Sequence, residues 1–161
     1  MGAGTIIATA IAITLMIITG YVLIGGTLST ARVVALAQQA AADRDAEKLN
    51  TRIEIFSAKT ETLEVPPHTY IIVNNTGSTV IRDFNHTEVY LLQGTTQYAY
   101  TNFSGSWTYT ISPDSIHPNL LDPDESLNIT VTYDPLKGPP EWVKVATANG
   151  VQASRYADVI V

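Results

Sequence analysis

The side chains able to do chemistry in this 161-residue chain are few and scattered. His68, His86 and His117 each stand beside a turn, and none joins a set of ligand-type side chains at a spacing that would hold a metal. Asp122, Asp124 and Glu125 form the densest carboxylate group. With carbonyl help such a group can take calcium, yet the spacing matches no calcium loop, and Asp and Pro in "LDPDES" are what a type I turn prefers. The turn is therefore the reading adopted. No Gly-rich phosphate loop and no nucleophile elbow occur. There is no cysteine, which removes thiolate catalysis, disulfides and thiolate metal sites. The expectation is a protein with no catalytic residue, no cofactor and no metal.

One kind of modification chemistry is written more densely. Asn74, Asn85, Asn102 and Asn128 each open an Asn-x-Ser/Thr triplet, the acceptor pattern for N-linked glycans. A chain rich in Asn, Ser and Thr produces one or two by chance. A cluster of four between residues 74 and 130 favours a body outside the cytoplasm.

Nine Lys and Arg oppose fifteen Asp and Glu. Arg32, Arg44 and Lys48 balance Asp43, Asp45 and Glu47, so all the net negative charge lies after Asn50. An acidic body without a basic stripe lacks the footprint that nucleic acid requires.

The elements that must carry these residues divide the chain in three. Residues 1–26 open with "MGAGTIIATAIAITLMIITGYVLIGG", and no charged side chain occurs before Arg32. As a helix, Ile6–Ile24 would be about 28 Å long, close to the hydrocarbon thickness of a bilayer. The segment lacks the basic start and the short apolar core of a secretory signal, which predicts an uncleaved anchor. Ala8 and Ala12 are spaced as a small-xxx-small pair, Gly20, Gly25 and Gly26 thin the far end, and Thr5, Thr9, Thr14 and Thr19 offer hydroxyls for a helix interface. These features suit packing against membrane helices, including a second copy. Residues 27–50 are Ala-rich and free of Pro and Gly, with Leu28, Ala31, Ala35, Ala42 and Leu49 at helical spacing and charges of both signs in "ADRDAEKLN". They predict a helical stalk about 35 Å long.

From residue 51 to residue 161 the period becomes two. "TRIEIFSAKTETLEV", "TYIIVNN", "TEVYLLQG", "TQYAYT", "WTYTI", "SLNITVTY" and "EWVKVAT" are β-branched and aromatic runs separated by turns. Seven or eight such strands with no room for crossover helices predict an immunoglobulin-like antiparallel β-sandwich behind a long hydrophobic α-helix. Ile53, Ile55, Leu63, Val65, Leu127 and Val131 are expected in the core, with Trp107 and Trp142.

Several stretches resemble the archaellum accessory proteins F and G, stator components of the archaeal flagellum. "RDAEKLNTRIEI" looks like the helix-to-first-strand junction of protein F, and "VNNTGSTVI" followed by "EVYLL" is similar to the second-strand turn of both. "LDPDESLNITV" and "EWVKVATANGV" look like their proline turn and closing strands, while "SGSWTYTI" is more like protein G. The resemblance implies a helix in the membrane, a sandwich beneath the surface layer, binding to surface-layer protein, contact with other archaellum components, and self-assembly into a homo-oligomer. The same helix-plus-sandwich plan belongs to archaellins and archaeal type IV pilins, whose helices form a filament core; mature pilins usually carry an acidic residue where this chain has Thr5. The expectation is a non-catalytic part of the archaeal motility machinery, anchored in the membrane of the cell envelope with its C-terminal domain outside. A filament subunit polymerising through the apolar helix is the alternative. A carbohydrate-binding module using exposed Tyr or Trp is a third.

Overall fold

The computed structural model describes residues 2–101 and 106–160. Helix α1 runs unbroken over Ala3–Asn50. Its apolar half is dominated by β-branched Ile and Thr and contains Gly20, Gly25 and Gly26, all weaker helix formers than Ala or Leu, but it has no proline to break the ladder. The hydroxyls of Thr5, Thr9, Thr14, Thr19, Thr27 and Thr30 donate to carbonyls three or four residues back, which satisfies them inside the helix. No α1 side chain is buried within the chain. Residues up to Asp43 form one compact unit and Arg44–Val161 a second, so the last turns of α1 belong with the body.

Among its described residues the body holds nine strands: β1 Ile53–Glu61, β2 His68–Asn75, β3 Glu88–Gln93, β4 Thr96–Thr101, β5 Trp107–Ser112, β6 Ser126–Thr132, β7 Pro140–Ala146, β8 Gln152–Tyr156 and β9 Asp158–Ile160. They form two sheets, ordered β5-β6-β2-β1-β9 and β4-β3-β7-β8. Neighbours are antiparallel except β1 and β9. Consecutive strands β8 and β9 lie in different sheets, and the Ala157 amide between them donates to Glu141 O at 2.8 Å. The architecture is the sandwich behind a long apolar helix that the two periods predict.

Alternation supplies the core. Ile53, Ile55, Ile71, Val73, Val89, Leu91, Leu127, Ile129, Val131, Val143 and Val145 point between the sheets with Trp107 and Leu121. Each such burial is worth about 1.5–3 kcal/mol before the cost of ordering the chain. Trp107 Nε1 is buried without a partner among the described residues, but other polar groups inside are paired: Thr60 Oγ1 lies 3.2 Å from Thr69 Oγ1 and 3.0 Å from Pro140 O, joining β1 to β7 across the interior. Gln93, also buried, donates through Nε2 to Asp134 O and Gly138 O and accepts from Tyr100.

Three core expectations are corrected. Leu63 is 79% and Val65 98% exposed, because the chain bends after Glu61 and leaves the strand period before reaching them. Trp142 is half-buried on the outer face of the four-stranded sheet, since Val143 and Val145 take the inward positions of β7.

Candidate functional site

The end of α1 is built into the body. Thr51 caps the helix, its amide and Oγ1 donating to Glu47 O at 2.9 and 2.7 Å. Asn149, in the turn between β7 and β8, donates to Thr51 Oγ1 at 2.8 Å and accepts from Thr147 Oγ1 at 2.6 Å. On the far side, the turn after β2 closes over the same residues: Thr76 and Gly77 amides donate to Arg52 O, and the Ser78 amide to Asn50 O. Buried Asn75 holds that turn, its Nδ2 donating to Thr79 O and Leu121 O while its Oδ1 accepts from the Gly77 amide. A depression of about 620 Å3 lies at this junction, lined by Arg44, Glu47, Lys48, Asp83, Thr147 and Asn149 among others. Its charges have both signs. The arrangement binds helix to sandwich; it has no nucleophile paired with a base.

The outer face of the four-stranded sheet carries aromatic side chains in register. Leu92, Trp142 and Tyr156 lie opposite one another on β3, β7 and β8, with Tyr90, Lys144 and Ser154 as the next row. Lys144 Nζ sits 4.4 Å from the Tyr90 ring centroid, and the Tyr90 hydroxyl donates to Glu88, which holds the phenol above its ordinary pKa. Tyr98 on β4, opposite inward-facing Leu91 and so on the other side of this sheet, has Lys137 Nζ 4.1 Å from its ring centroid. Tyr156 is 78% exposed, an unpartnered aromatic at a sheet edge.

The acidic turn is a loop organised by its own carboxylates. Asp122 and Glu125 are buried. Asp122 accepts from the His117 amide at 3.0 Å and contacts His117 Nδ1 at 2.8 Å, and Glu125 accepts from the Ser115 and Asp122 amides at 3.0 and 3.1 Å. These contacts occupy the carboxylate oxygens that calcium would need, while Asp124 sits at positive φ. Among the described residues no group of three or more His, Asp or Glu is placed to hold a metal ion. The three histidines stay apart: His68 contacts Thr132, His86 contacts Asp83 and His117 contacts Asp122. The His86 ring lowers the Asp83 pKa through a 2.6 Å hydrogen bond.

Of the four glycan acceptors, Asn74 and Asn128 are on neighbouring strands β2 and β6 and share the outer face of the five-stranded sheet. Asn85 lies in the turn before β3, with its Thr87 hydroxyl buried and donating to Asp83 O. Asn102 lies outside the described residues. Ala8, Ala12, Gly20, Gly25 and Gly26 stand exposed or nearly so on α1, and a Cβ at Gly20, Gly25 or Gly26 would meet nothing within 4 Å. By length and composition α1 can cross a membrane.

A family model described as archaeal-type flagellin matches residues 2–156. No protein of curated function matches the chain. Among solved structures, the archaellum periplasmic stator protein FlaG from Sulfolobus acidocaldarius is similar at 21% identity and TM-score 0.46, covering 65% of this chain and 97% of its own. The archaellum periplasmic stator protein complex of FlaF and FlaG from the same organism gives 22% identity and TM-score 0.47, covering 65% of this chain and 87% of that one.

Proposed function

The chain belongs to the archaeal-type flagellin family, and from that premise we propose that it serves the archaellum as a membrane-anchored stator part. In this reading Ile6–Ile24 crosses the bilayer, the helical stretch after it spans a gap, and the sandwich outside the membrane holds a fixed partner in the surface layer. The observation that carries the reading is the junction. An unbroken helix passes from a bilayer-length apolar stretch to turns that are hydrogen-bonded into the body by Thr51, Asn149 and the Gly77 turn. An anchor that must resist torque needs such a connection, because a Gly/Ser linker would absorb the displacement. Trp142 and Tyr156, in one row with Leu92, supply the aromatic surface chemistry that protein interfaces favour. No step of this role is catalytic.

A second reading, the filament subunit, is favoured by a different observation. The α1 helix buries none of its own side chains, and its small residues lie open for packing against other copies. Deleting the protein from motile cells separates the two. A stator part predicts filaments of normal length that no longer drive swimming; cells without filaments would mean that the chain builds them.

A further inference from the structure

The two broad faces of the sandwich differ in chemistry. Outside the five-stranded sheet, β5, β6 and β2 align Ser112, Ser126 and Asn74 in one row and Thr110, Asn128 and Ile72 in the next. The two acceptor asparagines are diagonal neighbours, roughly 7 Å apart. Beside them β1 is bulged between Ile55 and Ser57, and the residue in that bulge, Phe56, stands 64% exposed. Bulges re-aim a side chain where a function needs it, and among the described residues this ring stays largely uncovered. Phe56, Ile72, Asn74, Ser112, Ser126 and Asn128 line a shallow depression of about 390 Å3. Ser126 Oγ donates to Asn74 Oδ1 at 2.9 Å, which orients the carboxamide while leaving its nitrogen unbonded among the described residues.

We propose that this depression seats the first sugar of an N-linked glycan carried on Asn74 or Asn128, with the apolar face of the sugar ring against Phe56. The surroundings match that occupant: an aromatic ring and Ile72 for the C–H face, and serine and asparagine groups for the hydroxyls. The donor is an oligosaccharide linked through phosphate to a membrane lipid. The asparagine Nδ2 bonds to C1 of the sugar, the C1–O bond breaks with its electron pair leaving on the lipid phosphate, and one Nδ2 proton passes to a base of the transferase. One seat serves two acceptors. The aromatic face of the other sheet then stays bare for protein contact.

The inference rests on the body lying outside the membrane, as proposed above. Its test uses the full-length chain purified from membranes of an archaeal producer that N-glycosylates its surface proteins. Peptide mass mapping is expected to find a glycan on the peptide containing Asn74 or Asn128. The glycosylated chain should melt a few degrees above the N74Q/N128Q variant, and that difference should vanish when Phe56→Ser is added to both. Two bare asparagines overturn the inference, as does a melting difference that survives Phe56→Ser. Protease added to cells stripped of their surface layer then assigns the failure. A body digested from outside with both asparagines bare removes the glycan seat alone, whereas a protected body removes the proposed orientation with it.

Discussion

Gly77 lies against Arg52 so closely that a Cβ there would be 2.4 Å from the Arg52 amide nitrogen and 2.5 Å from Asn50 O. Both are backbone atoms at the point where helix gives way to sandwich, so neither can swing aside. Gly77→Ala is expected to destabilise the body by more than about 2 kcal/mol, in the range of overpacking at a close backbone approach. Chemical denaturation of the full-length chain in detergent reads it. A variant as stable as the parent would show that the turn is not locked onto Arg52.

Asn149 works on the other side of the same junction. Asn149→Ala removes the bonds to Thr51 Oγ1 and Thr147 Oγ1 and should cost about 1–2 kcal/mol. Hydrogen exchange gives the sharper readout: amides of residues 47–51 should lose protection while those of β2 and β6 keep theirs.

The two tryptophans should behave as opposites. Trp107 is 2% exposed and packs on Tyr109 with ring centroids 5.8 Å apart, so Trp107→Ala is expected to cost about 3–5 kcal/mol. Trp142→Ala should cost less than half of that, because its ring lies on the outer face. Quenching by acrylamide should reach Trp142 and spare Trp107. Leu127→Asp and Val131→Asp should each unfold the body, since both side chains are buried and a charge there has no partner.

Asp83 gives a pH dependence of known sign. Its pKa is lowered from 3.8 mainly by the hydrogen bond to His86. Its contribution is therefore complete above that unfolded value and is lost as pH falls through the lower, folded one. Side-chain exposures of 77% for His86 and 46% for Asp83 keep the effect small, below about 0.5 kcal/mol. Asp83→Asn should lower the melting temperature slightly at pH 7, and the gap should close at pH 2.

The sandwich was legible because strand alternation is a local signal: "SLNITV" and "EVYLL" state which side chains face inward. What escaped depends on distant partners. Phe56 reads as part of an ordinary strand until the bulge against β2 is seen. Trp142 looks like core until Val143 and Val145 claim that side. The junction joins Thr51 to Asn149, far apart in sequence, and no spacing rule connects them. Asp122 and Glu125 read as turn formers in the sequence, and the structure adds that their carboxylates accept from the loop's own amides. The small residues of α1 were visible, but the threonine hydroxyls bond back to their own helix, so they bring no free donor to an interface.

The proposed stator role requires the body to hold surface-layer protein. Sedimentation of the purified full-length chain in detergent with isolated surface-layer lattice from its own source tests it most directly, across a range of salt. The stator account predicts saturable co-sedimentation that Trp142→Ala combined with Tyr156→Ala reduces at least tenfold. A folded chain that stays in the supernatant at every salt concentration, and forms filaments once detergent is removed, would contradict it.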